Sequence, residues 1–170
     1  MFTNGEIIKP IQIISAGPEH WDDIWRIFHQ VVQTGDTYVY SPETTREQMM
    51  SLWSGVPICT YVALIEERVA GTYILKPNFP GLGAHVANCS YMVDSSFRGQ
   101  KIGKRMAEHS FQEARAKGFL TMQYNIVVST NTVAVELWKS LGFRTIGISP
   151  RAFYHCKLGL VDSYIMHREL

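Results

Sequence analysis

The densest run of chemistry-bearing residues in this chain is Arg98-Gly99-Gln100-Lys101-Ile102-Gly103-Lys104-Arg105. Four cations fall within it and no acid interrupts them. A strand pattern precedes the run and a helix pattern follows it. Glycines let a backbone approach a ligand closely. The unpaired N–H groups and dipole of a helix start attract an anion. The chemistry this offers is pyrophosphate binding through Arg98, Gly99, Gln100, Lys101, Ile102, Gly103 and Lys104. Two familiar phosphate loops are excluded. In a Walker loop the glycines enclose one more residue than Gly99 and Gly103 do, and a hydroxyl follows the lysine where Arg105 stands here. The G-x-G-x-x-G dinucleotide pattern is absent. A solvated basic helix start fits the same residues, so the loop alone leaves its ligand open.

Three asparagines form the second group. Asn88 interrupts an apolar strand pattern, Asn125 precedes Ile126-Val127-Val128, and Asn131 opens a helix pattern. Asparagine is depleted in strands. A buried one without partners costs about 1–3 kcal/mol. A structural hydrogen bond explains Asn88 or Asn125 as well as a ligand does. Helix capping explains Asn131 equally well.

These residues need elements to hold them. Lys9 to Ile14 alternates like a first strand. Trp21, Ile24, Trp25, Phe28, Val31 and Val32 recur at helical spacing, and Thr34-Gly35-Asp36 ends that helix. Thr37 to Pro42 reads as a loop. Thr44 and Glu47 have capping-box spacing ahead of a short helix with Met50 and Trp53. Thr60–Ile65 and Val69–Leu75 read as strands of a hairpin turning at Glu66-Glu67-Arg68. Pro77 to Gly83 is a loop, and His85–Val93 a strand. A helix runs from Ile102 to Gly118, a strand from Met122 to Val128, and a helix from Val133 to Gly142. Phe143–Ile148 and Tyr164–Arg168 are the last strands. Strands joined by helices imply parallel pairing in the second half. The expectation is an α/β fold: one mixed, twisted sheet of about six or seven strands, with about four helices on both faces.

The chain has 170 residues, 46% of them apolar, with 16 Lys/Arg against 15 Asp/Glu. That length suits a single domain, with its core over about 9–170. A net charge of +1 supplies no global field toward nucleic acid or membrane, so neither is expected as a partner. Cys59, Cys89 and Cys156 show neither C-x-x-C nor zinc spacing, and no metal site is expected. No signal-peptide pattern and no spanning apolar run is evident, which points to a soluble cytoplasmic protein.

The basic loop followed by Asn131-x-x-Ala134 and Leu141-Gly142-Phe143 resembles the GCN5-related N-acetyltransferase (GNAT) superfamily. Its pyrophosphate loop reads Arg/Gln-x-x-Gly-x-Gly/Ala, matched here by Arg98 and Gly103. Lys101 departs from the first loop glycine. Trp138 stands where many relatives carry a tyrosine acid, and an indole N–H is no useful acid. The resemblance implies the matching fold, acetyl-CoA as cosubstrate, and direct transfer of acetyl to an amine. It implies cofactor contacts from the loop, from Asn131 and Trp138, and from backbone N–H groups near Met92 and Val93 that polarise the thioester. A narrower resemblance, through His85-x-x-Asn88, Asn125 to Asn131, Trp138 and Gly147, is to fungal acetyltransferases that detoxify L-azetidine-2-carboxylate and related proline analogues. It implies Asn88 and the backbone of Asn125 and Ile126 as carboxylate-binding groups, and Asn131 as the catalytic residue.

The proton of the amine then leaves through water, with His85 and His155 as possible relays. Tyr38, Tyr40 and Trp53 are expected to wall the acceptor pocket, or simply to pack. Cys89 is expected in the core. The acceptor partner is a small amine, and a homodimer is a further expectation. Two other functions compete: acetylation of protein or peptide amines, and acyl-CoA sensing without catalysis. Comparing small amino acids with peptides separates the first. Acetyl-CoA binding without CoA release marks the second.

Overall fold

The chain's computed structural model describes residues 10–170. Element order follows the sequence pattern. Of the first expected strand, Lys9 lies outside the described residues. The strands are β1 (Gln12–Ser15), β2 (Cys59–Ile65), β3 (Arg68–Pro77), β4 (Val86–Val93), β5 (Thr121–Val128), β6 (Arg144–His155) and β7 (Gly159–Glu169). The helices are α1 (Trp21–Val32), α2 (Arg46–Trp53), α3 (Ile102–Ala116) and α4 (Thr132–Ser140). The seven strands form one sheet in the order β1-β2-β3-β4-β5-β7-β6.

Strands β1 to β4 pair antiparallel in sequence order. The β2–β3 turn is tighter than the sequence suggested. Arg68 already pairs with Ile65, leaving Glu66 and Glu67 with φ of 49° and 63°. That is the positive-φ geometry of a two-residue hairpin. The β4–β5 pair is parallel through α3, but only Val86↔Thr121 and Ala87↔Met122 are in register. Beyond them the two strands part.

Parallel pairing goes no further. Helix α4 joins β5 to β6, yet β7 lies between them and pairs antiparallel with both. The short turn after His155 brings β7 straight back along β6, and its far side completes β5. Both last strands also run past the expected limits. Pro150 and Arg151 break the alternation, and a register shift between Ser149 and Phe153 absorbs them as a bulge. Arg151 N–H donates to Asp162 Oδ1 at 2.9 Å across the hairpin.

The helices divide between the faces. Ile24, Ile27, Phe28 and Val32 of α1, with Met49 and Trp53 of α2, pack on Val62, Val69, Ile74 and Met92. Met106, Ala107, Phe111 and Ala114 of α3, with Val135 and Trp138 of α4, cover the opposite face. Each buried Ile, Val, Met or Phe among them is worth about 1.5–3 kcal/mol in transfer terms. The capping box at α2 lies one residue later than the spacing suggested. Thr45 Oγ1 accepts from Gln48 N, and Gln48 Oε1 accepts from Thr45 N. Met49 rather than Met50 therefore joins Trp53 on the buried face. Helix α4 stops at Gly142, whose φ of 87° lets Phe143 N–H return to Trp138 O at 3.0 Å.

Candidate active site

The parting of β4 and β5 creates the site. Asn88 stands where ladder pairing ends, and its Nδ2 donates to Gln123 O at 2.9 Å. Further along, alternation turns the backbone groups of Tyr91 and Val93 toward the gap and those of Met92 toward β3. Asp94 N–H, in phase with Met92, bonds Ala70 O of β3 at 2.9 Å. No strand meets Tyr91 on the gap side. Instead the Tyr38 phenol takes both its groups, donating to Tyr91 O at 2.5 Å and accepting from Tyr91 N at 2.9 Å. On β5, Asn125 and Ile126 sit at a register shift between Tyr124 and Val127. A bulge of this kind takes backbone out of the ladder.

The gap opens into a cleft of about 240 Å³ that passes between the two faces of the sheet. On the α1/α2 side it is lined by the Thr37–Tyr40 loop, Asn88, Ser90 and Asn125. On the α3/α4 side it is lined by Tyr91, Tyr124, Asn131, Ala134 and Trp138. The loop is held from both ends. Tyr38 and Tyr40 stack at 5.9 Å, and Tyr40 packs on Phe28 at 5.3 Å. The β6–β7 hairpin reaches over to its start, where Cys156 N donates to Gly35 O at 3.0 Å.

A buried hydroxyl chain backs the second wall. Tyr124 and Tyr91 share a hydrogen bond at 2.9 Å, Tyr91 and Ser110 another at 2.7 Å, and Ser110 donates to Ala107 O. Trp138 packs against both phenols, with ring centroids 5.2 Å from Tyr91 and 4.8 Å from Tyr124. Burial drives both phenols well above the usual tyrosine range. It likewise pushes the Cys89 thiol up to about 12, which keeps it protonated and inert.

The basic loop sits at the amino end of α3. Gly99 has φ of 81° and Lys101 a left-handed φ of 59°, so the loop turns sharply into the helix. Among the described residues, the N–H groups from Gly99 to Lys104 meet no acceptor. Arg98, Gly99, Gln100, Lys101 and Lys104 are exposed, while the Ile102 side chain is buried, leaving only its amide to face outward. A Cβ on Gly103 would meet Leu137 at 3.8 Å and Val93 at 3.9 Å, ordinary contacts. Protein packing therefore does not demand the glycine. Helix α1 fixes the approach to the loop. Arg26 pairs with Asp94, and Gln30 accepts from Ser95 N at 2.9 Å. Asp94 in turn accepts from Ser96 N and Oγ.

The structure thus gathers Tyr38, Asn88, Asn125, Ile126, Asn131 and Trp138 around one cleft. The residues from Arg98 to Lys104 form a separate cluster at the α3 start. The Met92 side chain lies in the α1/α2 core, 1% exposed. Asn131 Oδ1 caps α4 through Ala134 N at 3.2 Å. Asn125 bridges Gln123 Nε2 and Asn78 Oδ1. Trp53 is fully buried and supports Tyr40 from behind rather than lining the cleft. Neither His85 nor His155 lines it, so the two expected relays are misplaced. Sequence reasoning missed Ser90 and the Tyr91–Tyr124–Ser110 chain. The regular placing of Tyr61, Tyr73, Tyr91 and Tyr124 on successive strands was the available signal.

Residues 19–143 match the acetyltransferase (GNAT) family. That span runs from the start of α1 through the basic loop to the end of α4. This chain belongs to that family. N-acetyltransferase aca1 of Schizosaccharomyces pombe is 35% identical over 98 residues, covering 56% of this chain and 46% of that protein. Protein SPT10 of Saccharomyces cerevisiae is 32% identical over 87 residues, 51% of this chain and 14% of that protein. The chain therefore spans less than half the length of these curated relatives. A GCN5-related N-acetyltransferase from Kribbella flavida superposes with a TM-score of 0.89 at 44% identity, covering 94% of this chain and 98% of that one. A phosphinothricin acetyltransferase from Sinorhizobium meliloti, solved with acetyl-CoA, shares the fold with a TM-score of 0.83 at 21% identity, covering 94% and 88%.

Proposed function

We propose that this protein transfers acetyl from acetyl-CoA to the nitrogen of a small, amino-acid-like amine, with toxic proline analogues as the acceptor class to test first. The observation that carries the reading is the cleft through the sheet, with asparagines on one wall and β4 backbone along its edge. The α3 amino end suits the pyrophosphate, since its amides have no protein acceptor and Arg98, Lys101 and Lys104 surround them. Acetyl-CoA supplies an acyl group on a good leaving sulfur. Val93 N–H, or Tyr91 N–H once Tyr38 withdraws, donates to the thioester oxygen, where negative charge develops. Asn88 and the Asn125–Ile126 bulge hold the acceptor's carboxylate. Asn131 spends its oxygen on the helix cap and keeps its NH₂ for the reacting groups.

Trp138 supplies shape rather than a proton. The CoA thiol, with a pKa of ~8.5 as for an ordinary cysteine, leaves readily enough that water suffices. The test is Asn88→Ala with thiol release as readout and a thermal melt as control for the lost Gln123 bond. The acceptor KM is expected to rise about tenfold or more, the equivalent of about 1.4 kcal/mol, with the acetyl-CoA KM nearly unchanged. Equal effects on both, or none, would contradict the carboxylate-binding role.

A further inference from the structure

The lining of the cleft carries no charge. Among the described residues, no Asp, Glu, Lys, Arg or His lines it. Its titratable groups are the phenols of Tyr38, Tyr40, Tyr91 and Tyr124 and the thiol of Cys89. Burial raises all five, so each keeps its proton near neutral pH. Three of the phenols, Tyr38, Tyr91 and Tyr124, are also committed elsewhere. The Tyr38 hydroxyl is bound to the Tyr91 backbone, and the Tyr91 hydroxyl to Tyr124 and Ser110.

Charged groups on the neighbouring elements do not line the cleft. Lys76 stands opposite Asn88 in the β3–β4 register but does not line the cleft. Asp36, just before the Thr37–Tyr40 loop, is bound to Thr34. Arg168 of β7 lies over the Phe111 ring at 4.2 Å. From α3, Glu113 accepts from Tyr61, and His109 bonds Tyr73.

An ammonium group entering such a cleft loses water and gains no carboxylate, which is unfavourable. Nor does any side chain there act as a base to take its proton. Resting on the acetyl-transfer reading above, we infer that the acceptor is a small amine of no net positive charge that enters as the free base, and that polycationic amines are excluded. In the step itself the nitrogen forms a bond to the acetyl carbon and the carbon–sulfur bond breaks. One N–H proton leaves to water and the sulfur gains one from water, so the products are the amide and free CoA thiol. The cleft thereby selects by charge as well as by size.

The test measures kcat/KM against pH at saturating acetyl-CoA for an aniline, an amino-acid amide, an α-amino acid and spermidine, with thiol detection. Calorimetric titration with acetyl-CoA runs in parallel. Below each amine's own pKa, kcat/KM is expected to rise about tenfold per pH unit, and to level at a pH that moves from amine to amine. Spermidine is expected to be the poorest acceptor. A common apparent pKa for all amines, or spermidine as the best acceptor, overturns the inference by revealing a base or a carboxylate at work. Acetyl-CoA binding without turnover of any uncharged or zwitterionic amine overturns it too, while the cofactor reading stands. Absence of acetyl-CoA binding instead overturns the acetyl-transfer reading beneath it.

Discussion

Asn131 carries two roles that two substitutions separate. Asn131→Ala removes the α4 cap and is expected to cost about 1 kcal/mol of stability. Asn131→Ser keeps a capping oxygen at that position but has no NH₂ group. Its thermal midpoint should stay near the parent value while kcat falls about tenfold or more, worth about 1.4 kcal/mol of transition-state stabilisation. An unchanged kcat in Asn131→Ser would confine the residue to the helix cap. Asn131, like Asn88, stood out in the sequence because an amide there needs a partner. What composition and spacing did not reveal was the partner itself. Asn88 reaches Gln123 O only because β4 and β5 separate at that point. Tyr38 was legible as an aromatic expected to wall a pocket or simply to pack, but its grip on the Tyr91 backbone depends on the same separation.

At the scale of elements, the basic loop and its helix were readable because glycines and cations mark a backbone built for an anion. Lys101 departs from the family pattern in a left-handed conformation, φ 59°. A non-glycine residue there costs roughly 1–2 kcal/mol. Lys101→Gly should therefore gain about 0.5–1 kcal/mol after glycine's own entropy cost. Lys101→Ala, which keeps the strain, should gain none. If both behave alike in thermal melts, the conformation carries no strain. The clasp of α1 on the loop was not readable, since Arg26 and Asp94 are far apart in sequence and meet only where α1 packs beside the carboxyl end of β4. Asp94 is 2% exposed. Burial alone would raise its pKa, but Arg26 and the Ser96 donors outweigh that and hold it below the usual carboxylate value. Its stabilisation is then complete above the unfolded pKa of ~3.9 and lost as pH falls through the lower folded value. Asp94→Ala should cost about 2 kcal/mol at pH 7, limited because Arg26 is half exposed. In urea unfolding the gap from the parent should narrow below pH ~4. A gap independent of pH would mean that the loss reflects packing instead. The β7 insertion also escaped the sequence, because periodicity identifies strands without identifying neighbours.

The molecule as a whole joins an anion-ready helix end to an uncharged cleft through one strand, β4. The α1/α2 half and the α3/α4 half each line one side of the cleft, the acceptor and thioester sides respectively in the reading proposed above. The most direct measurement is thermal unfolding with acetyl-CoA, ATP or NAD present. At ~100 times its Kd, a ligand specific for the folded state adds about 2.7 kcal/mol. For a chain of this length that is roughly 5–10 °C. The expected result is a shift of that size with acetyl-CoA and little with ATP or NAD. A shift with ATP or NAD alone, or none with acetyl-CoA, would contradict the assignment of the α3 amino end and the cleft as an acetyl-CoA site.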